Sequence, residues 1–492
     1  MSAATTRGRP ASIPPAARSA AFRAARADVA AGARSPRMLK APARRGWWPD
    51  AVGTFTWVTA LIVVALWVSG GGIQALLPFG AATMSSLGRL SGLLASDLML
   101  LQVLGMARIP WAERSFGQDR LAKWHRLMGL GSFYLLLTHL VTIIIGYAGS
   151  AGQTVLGEAW SMILTFPGML IATAGTLMIW FVVATSIRVA RRKLRYESWH
   201  LLHLYAYLGI ALALPHQLWT GTDFIGHRWA TVYWWTLYAF ALASVLIFRI
   251  GRPAWLSLRH SLRVAAVVHE GPGIVTVHLT GQHLTNMRVA AGQFFVWRFL
   301  SGPGWSRGHP FSLSGAPTTA GLRLTIGTRG DDGQRIETLK PGTRVLIEGP
   351  YGRMTSDVRT RPRVAVFASG LGIAPLMSLL HEHIPTEGPA TLVYRVSRAD
   401  DEVLAADIEW LVQNTGLRHI PLVGPRSRVG TPWLPQELGH VRGPDAVRLL
   451  VPDLDDHDVF VCGPGPWSDA IEADLRAAGV PPEALHVENF SW

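Results

Sequence analysis

Cysteine is almost missing from this 492-residue chain, in which Cys462 stands alone. One thiol excludes an internal disulfide, and it excludes any site where the cysteines of a single chain hold zinc or an iron–sulfur cluster. A resident metal must therefore take other ligands. Charge is scarce too: 16% of the residues are charged against 49% hydrophobic, too apolar a balance for an ordinary soluble enzyme. Acids are the scarcer sign, with Lys and Arg at 46, Asp and Glu at 32, and a formal net charge of +14. That excess suits either a nucleic-acid surface or the cytoplasmic loops of a membrane protein, and its placement decides between them.

Residues 1–46 carry ten Lys and Arg against one acid, Asp28, and show no apolar periodicity, so they read as a disordered basic tail. A transit peptide is the lesser alternative. A cleaved secretory signal fits poorly, because the apolar run from Ala51 is long enough to span. Six runs approach the ~20 residues that a bilayer-spanning helix requires: about 51–69, 84–106, 124–147, 166–187, 199–217 and 230–249. The link after the second run holds Arg108, Arg114, Arg120 and Lys123, and the link after the fourth holds Arg188, Arg191, Arg192, Lys193 and Arg195. Links 70–83 and 147–166 contain no Lys or Arg, and the one after His216 has only Arg228. The basic charge is thus topological, and nucleic acid drops out as a partner. The expectation is a multi-pass protein of the cell (inner or plasma) membrane, surrounded by lipid, with both termini cytoplasmic.

The spans carry unexpected histidines. His125 and His139 lie fourteen positions apart in the third run, which returns within ~40° of one helix face and covers ~21 Å of depth. His203 and His216, in the fifth, lie thirteen apart, or ~20 Å. The depths match, although this second pair would differ by ~140° in direction on an ideal helix. Distortion at Pro215, or a different approach angle at each site, has to absorb that difference. Polar residues in spans are rare and usually functional. A haem with an imidazole on each face needs two facing helices, so two pairs at two depths suggest two b-type haems stacked across the bilayer. His125 with His203 would be the inner metal ligands and His139 with His216 the outer ones, with His200 a neighbour on the inner side. Arg89 is expected toward the outer side, near a haem propionate or an anionic product, or else as a snorkelling arginine; Asp97 receives no role.

After Arg252 the texture becomes soluble. The runs "GIVTVHL", "GQFFVWRFL", "LRLTIGT" and "TRVLIEGP" between Gly and Pro turns suggest an antiparallel β-barrel over 256–355. "RVAVFASGLGIAPLMSLL", "ATLVYRVS" and "DVFVCGPGPW" alternate with helical segments over 361–492, the pattern of a parallel-sheet α/β domain. The fold class is therefore a multidomain membrane protein: a six-helix transmembrane bundle over 47–252, then a barrel, then an α/β domain.

The ordered set "HPFSLS" (309–314), "GPYG" (349–352), "GLGIAP" (370–375), "CGP" (462–464) and "ENF" (488–490), placed below a membrane domain with paired histidines, resembles the ferric reductase and NADPH oxidase superfamily. The likeness covers about 85–492. It implies a six-helix haem domain fused to a ferredoxin–NADP reductase-like module that binds FAD and NADPH, with NADH the less favoured nucleotide. His309, Pro310, Phe311 and Ser312 would meet the flavin, Phe311 by packing and Ser312 near its reactive N5. Soluble relatives open this motif with an arginine for the FAD phosphates. Here the residue is His309, as in the oxidases, and Arg329 is expected to supply the charge, with Gly330 and Gly333 letting amides approach. Gly370, Gly372 and Pro375 form a strand–turn–helix nucleotide site. Arg395 and Arg398 end the next strand, where a cation favours a ribose 2′-phosphate, although Asp400, Asp401 and Glu402 follow. Cys462 and Gly463 are implied beside the nicotinamide, with Glu488 close to the chemistry. An aromatic near the C-terminus is implied to stack on the flavin; Phe490 matches it, but Trp492 lies beyond it and competes for the role.

The function this implies is transmembrane electron transfer from cytoplasmic NADPH through FAD and two haems to an acceptor on the far side. Dioxygen, a ferric chelate and a periplasmic redox partner protein remain open as acceptors. A haem and flavin redox sensor is the alternative of a different class.

Overall fold

The computed structural model describes residues 47–77, 79–194, 196–387 and 390–489. The expected basic tail, Arg195, Phe490 and Trp492 lie outside them. The chain divides into two compact units between Ile250 and Gly251.

The membrane unit is helical. Six stretches are long and apolar enough to cross a bilayer: Trp48–Ser69, Ala81–Met106, Arg120–Ala151, Met169–Ser186, Ser198–Thr220 and Arg228–His260. Their side chains Trp57, Leu61, Leu127, Leu170 and Trp229 are all more than half exposed, which suits a lipid-facing surface. The helices are α1 (Trp48–Ser69), α2 (Ala81–Met106), α3 (Gln118–Ala151), the short α4 (Val155–Thr165), α5 (Met169–Ser186), α6 (Tyr196–His203), α7 (Tyr205–Thr220) and α8 (Arg228–Val245). Helix α3 packs along α2, and α7 packs along α5. At 34 residues, α3 extends for ~51 Å, so one unbroken rod carries both His125 and His139.

The fifth span is not one helix. It breaks at Leu204, whose N–H sits 3.2 Å from the carbonyls of both His200 and Leu201, and Tyr207 N–H donates to the Leu204 carbonyl three residues back. This tightened turn winds more steeply than an α-helix. The change in winding between His203 and His216 thus sits at Leu204, whereas Pro215 lies inside the continuous α7.

In the soluble unit, α9 (Arg252–His260) leads into β1 (Arg263–Gly271), β2 (Ile274–Thr280), β3 (Phe294–Phe299), β4 (His309–Ser312), β5 (Leu322–Gly327) and β6 (Val345–Tyr351). These form two antiparallel three-stranded sheets, ordered β1-β2-β5 and β4-β3-β6. Bridges at Arg263–Arg344 and Leu313–Leu324 join them into a barrel around Phe295, Trp297, Leu313 and Leu324. The remaining strands are β7 (Arg363–Ser369), β8 (Thr391–Val396), β9 (Arg418–Val423), β10 (His457–Gly463) and β11 (Leu485–Asn489), a parallel sheet in the order β11-β10-β7-β8-β9. Alternation along β7 covers both faces: Val364, Val366 and Ala368 enter one core, and Ala365 and Phe367 the other.

Candidate functional site

The membrane unit brings the four expected histidines together as two pairs. The His125 and His203 ring centres are 5.8 Å apart, and those of His139 and His216 are 6.5 Å apart. Two imidazoles on opposite sides of one metal ion, each with a nitrogen–metal bond of ~2 Å, set their ring centres roughly 6 Å apart. Both pairs match that spacing. Among the described residues no cluster of three or more His, Cys, Asp and Glu side chains forms a metal site, so each pair offers only two protein ligands. A porphyrin, which brings its own four nitrogens, suits such a site.

The surroundings of the four rings differ. His139 Nδ1–H donates to the Gly88 carbonyl at 2.7 Å, which leaves Nε2 as the nitrogen without a proton. His203 Nδ1 lies 3.2 Å from Ser186 Oγ. The Nδ1 atoms of His125 and His216 are buried, with His125 beside the Gln102 backbone and His216 beside the Ala213 backbone. Gly92 makes room for the outer pair: a Cβ there would come within 2.5 Å of His139 Nδ1. Gly88 and Gly92, spaced as in G-x-x-x-G, are a signal in the sequence that the histidine pattern alone does not reveal.

A cavity of about 550 Å³ lies between the outer histidines, lined by Gly92, His139, Leu140, Met162, Ile179 and His216. Arg89 reaches its wall but is held by an ion pair with Asp223: Nε donates to Oδ2 at 2.9 Å, Nη2 donates to Oδ1, and Nη2 also meets the Gly70 carbonyl at 3.0 Å. Gln217 accepts from Trp234 Nε1–H at 2.7 Å and donates to Ser96 Oγ at 3.1 Å, adding a polar wall. Asp97 is buried, and the Thr59 hydroxyl donates to one of its oxygens at 3.4 Å.

In the soluble unit, strand pairing assembles the predicted flavin edge. Ser312 pairs with Phe294 and Phe311 with Phe295, while Phe294 also pairs with Tyr351 of "GPYG". Ser312 Oγ is buried without a partner among the described residues, as suits a hydroxyl that meets a ligand. His309 lies flat against Phe311, their ring planes 8° apart, and Pro310 pairs with Val296. The positive group beside His309 is Arg335, at 3.4 Å, a residue the sequence reading passed over. Arg329 and Gly330 are exposed in the loop after β5, and Gly333 packs against the Thr328 backbone.

The nucleotide side meets this edge. Cys462 on β10 is in register with Glu488 on β11, and a Cβ on Gly352 would lie 3.4 Å from Glu488 Oε1. Gly372 abuts the backbone of Cys462 and Gly463, where a Cβ would come within 2.1 Å of the Cys462 carbonyl. The turn 370–372 leads into α10 (Ile373–Glu387), which buries Pro375 in its first turn. Burial first, and the Glu488 carboxylate second, push the Cys462 thiol well above its usual range, so it stays protonated.

The two arginines at the end of β8 part company. Arg395 is buried, and its guanidinium donates to the carbonyls of Val396, of Leu422 at 3.2 Å and of Gly424 at 2.7 Å. Arg398 is exposed beyond the strand end. Phe490 and Trp492, the two expected stacking rings, fall outside the described residues. The sequence reading also passed over a buried ion pair between barrel and α/β domain: Arg323 Nη2 lies 2.7 Å from Asp407 of α11 (Ala405–Thr415) and 2.6 Å from the Ser314 carbonyl.

Residues 91–214 match the family described as "Ferric reductase like transmembrane component". Among curated proteins, the ferredoxin reductase component of 3-ketosteroid-9-alpha-monooxygenase from Mycolicibacterium smegmatis is 30% identical over 243 residues, covering 46% of this chain and 65% of that protein. The ferredoxin–NAD(+) reductase component of the alkene monooxygenase system of Xanthobacter autotrophicus is 30% identical over 210 residues, covering 40% and 61%. The Mycobacterium tuberculosis ferredoxin reductase component of 3-ketosteroid-9-alpha-monooxygenase is 27% identical, and the chain spans 55% of its length. Among solved structures, a ferredoxin NADP+ reductase from Neisseria gonorrhoeae with bound FAD and NADP is 17% identical at a TM-score of 0.39, covering 47% of this chain and 98% of that one. The chain thus joins a segment similar to a ferric reductase like transmembrane component, within six apolar helices, to a soluble half similar to ferredoxin reductase components, a combination that matches the fused ferric reductase/NADPH oxidase architecture.

Proposed function

We propose that this chain is a membrane oxidoreductase that takes electrons from NADPH on the cytoplasmic side and delivers them to dioxygen or a ferric chelate on the other. The observation that carries the reading is the pair of histidine couples, 5.8 and 6.5 Å between ring centres, between one continuous helix and the α6–α7 span. His125 and His203 would hold the inner haem, and His139 and His216 the outer one, within the domain 47–252. The barrel (256–355) would hold FAD and the α/β domain (361–492) the nucleotide.

When bound, FAD supplies a two-electron acceptor that can release electrons singly, and haem iron supplies one-electron carriage. The chain's part is positioning. Phe311 and His309 offer a flat aromatic surface for the flavin, and Arg335 offers a cation beside it. Ser312 places its unpartnered hydroxyl at the flavin edge. The protonated thiol of Cys462 and the neighbouring Glu488 shape the nicotinamide site without a competing thiolate. Arg398, exposed where Arg395 is not, is the side chain suited to a 2′-phosphate.

The test is the reduced-minus-oxidised haem spectrum of the purified protein on adding NADPH, followed by NADPH consumption in proteoliposomes offered Fe(III) chelate or oxygen in turn. Two haems per chain, both reduced and turning over with one acceptor, is the expected result. A protein that copurifies with no haem refutes the reading. Reduction that stops after one round favours a redox sensor instead.

A further inference from the structure

The inner histidine pair is supported by side chains, whereas His139 of the outer pair is supported by a backbone carbonyl. His203 is the last residue of α6, immediately before the tightened residue Leu204 that leads into α7. Two side chains converge on it, and a third backs the second. Ser186, the last residue of α5, places Oγ 3.2 Å from His203 Nδ1. Trp199 Nε1–H donates to the same Oγ at 3.4 Å, and the Trp199 ring lies 5.1 Å from the His203 ring, tilted by 33°. Arg191 places its guanidinium carbon 4.5 Å above the Trp199 ring.

A hydroxyl oxygen can accept two hydrogen bonds while donating one. Ser186 Oγ can therefore take the N–H of Trp199 and the Nδ1–H of His203 together, and the ring's Nε2 is then left without a proton. That nitrogen is free for the side of the ring occupied by His125. Either ring nitrogen of a free histidine can carry the proton, and the partner of one nitrogen decides which is available as a ligand.

We infer that Ser186, held by Trp199, is the positioning residue of the inner site: it fixes the tautomer and orientation of His203 and sets the donor strength of its Nε2 toward iron. The inference rests on the two-haem reading above. It also implies an asymmetry between the sites. His139 gives its Nδ1–H to a carbonyl at 2.7 Å, whereas His203 faces a hydroxyl at 3.2 Å that is shared with an indole. A stronger acceptor on Nδ1–H makes an imidazole a better donor and favours oxidised iron. Removing the acceptor from His203 should therefore make the inner haem easier to reduce and leave the outer one alone.

The test is a spectroscopic redox titration of the holoprotein, with haem content and the low-spin EPR signals recorded alongside, for wild type, Ser186→Ala, Ser186→Thr and Trp199→Phe. In Ser186→Ala, one midpoint potential should rise and its EPR signal should shift while the other centre stays fixed. Ser186→Thr, which keeps the hydroxyl, should restore the wild-type values, and Trp199→Phe should give a smaller shift of the same centre. Loss of one haem in Ser186→Ala with full retention in Ser186→Thr supports the inference equally. Unchanged potentials and EPR signals in Ser186→Ala at two haems per chain overturn it and leave the two-haem reading standing. A wild-type protein with no haem overturns both.

Discussion

Gly92→Ala is the sharpest perturbation of the outer histidine pair, because it adds one methyl group and removes nothing. The added Cβ would lie 2.5 Å from His139 Nδ1, 2.9 Å from Cε1 and 3.0 Å from Cγ. The ring must retreat, and in retreating it loses the 2.7 Å bond from Nδ1–H to the Gly88 carbonyl and its facing relation to His216. Overpacking of this kind costs about 1–3 kcal/mol, and a lost hydrogen bond about 1 more. A total of about 2–4 kcal/mol corresponds to roughly 30- to 700-fold weaker retention of a group held between the two rings. The assay is the haem-to-protein ratio after purification and dialysis, with the reduced spectrum as a second readout. Gly131→Ala on α3 is the control: its added Cβ makes only an ordinary 3.7 Å contact with Leu98, so haem content should be unchanged. Full retention of both haems in Gly92→Ala, with an unaltered spectrum, would refute the packing argument.

Other consequences are testable in the soluble half. Asp407→Ala strands a buried Arg323 guanidinium whose side chain is 8% exposed, so unfolding monitored through flavin fluorescence should show a loss of about 3–5 kcal/mol; a loss under ~1 kcal/mol would mean the pair is solvated. Arg398→Ala should remove a charge-assisted contact worth about 1.5–3 kcal/mol, raising KM for NADPH roughly 10- to 100-fold with little change for NADH, and equal effects on both nucleotides would assign Arg398 elsewhere. Burial, and then the neighbouring Arg359, hold His383 down to about 4. Its neutral ring contributes stability in full above the ordinary imidazole range near 6.5, and that contribution is lost as pH falls toward 4. The apparent Tm should drop through that window, and His383→Gln should flatten the drop; a parallel profile in the variant would exonerate His383.

What the sequence made legible was what hydrophobicity and spacing encode. Six spans, a barrel of alternating strands and a buried parallel sheet each follow from local pattern, and His125 and His139 announced themselves as polar residues at helical spacing in lipid-compatible runs. The fifth span was harder to read. Its misfit of direction was visible, but its cause was not: Pro215 is the conspicuous residue, whereas the tightened turn forms at Leu204, an ordinary leucine that marks nothing in a propensity reading. In the sequence Arg398 reads more readily than Arg395 as a solvated loop residue, but that pattern does not show that the Arg395 guanidinium is taken up by three carbonyls at the sheet edge. Arg335 and the Arg323–Asp407 pair were invisible for a related reason, since each depends on a helix meeting a strand distant in sequence. Ser186 lies seventeen residues from His203 across a basic link, a separation that no periodicity connects.

The unequal construction of the two histidine-bearing elements has a mechanical meaning. Helix α3 acts as a ruler, its unbroken backbone setting the vertical interval between the two levels, so that neither ring on it can move along the axis without the other. The opposite wall is wound differently: α6 and α7 meet at the tightened residue Leu204, so His203 and His216 each take their direction from a different helical piece. In the electron path proposed above, the interval between the two levels would be set by α3, and the direction of each facing ligand by α6 or α7.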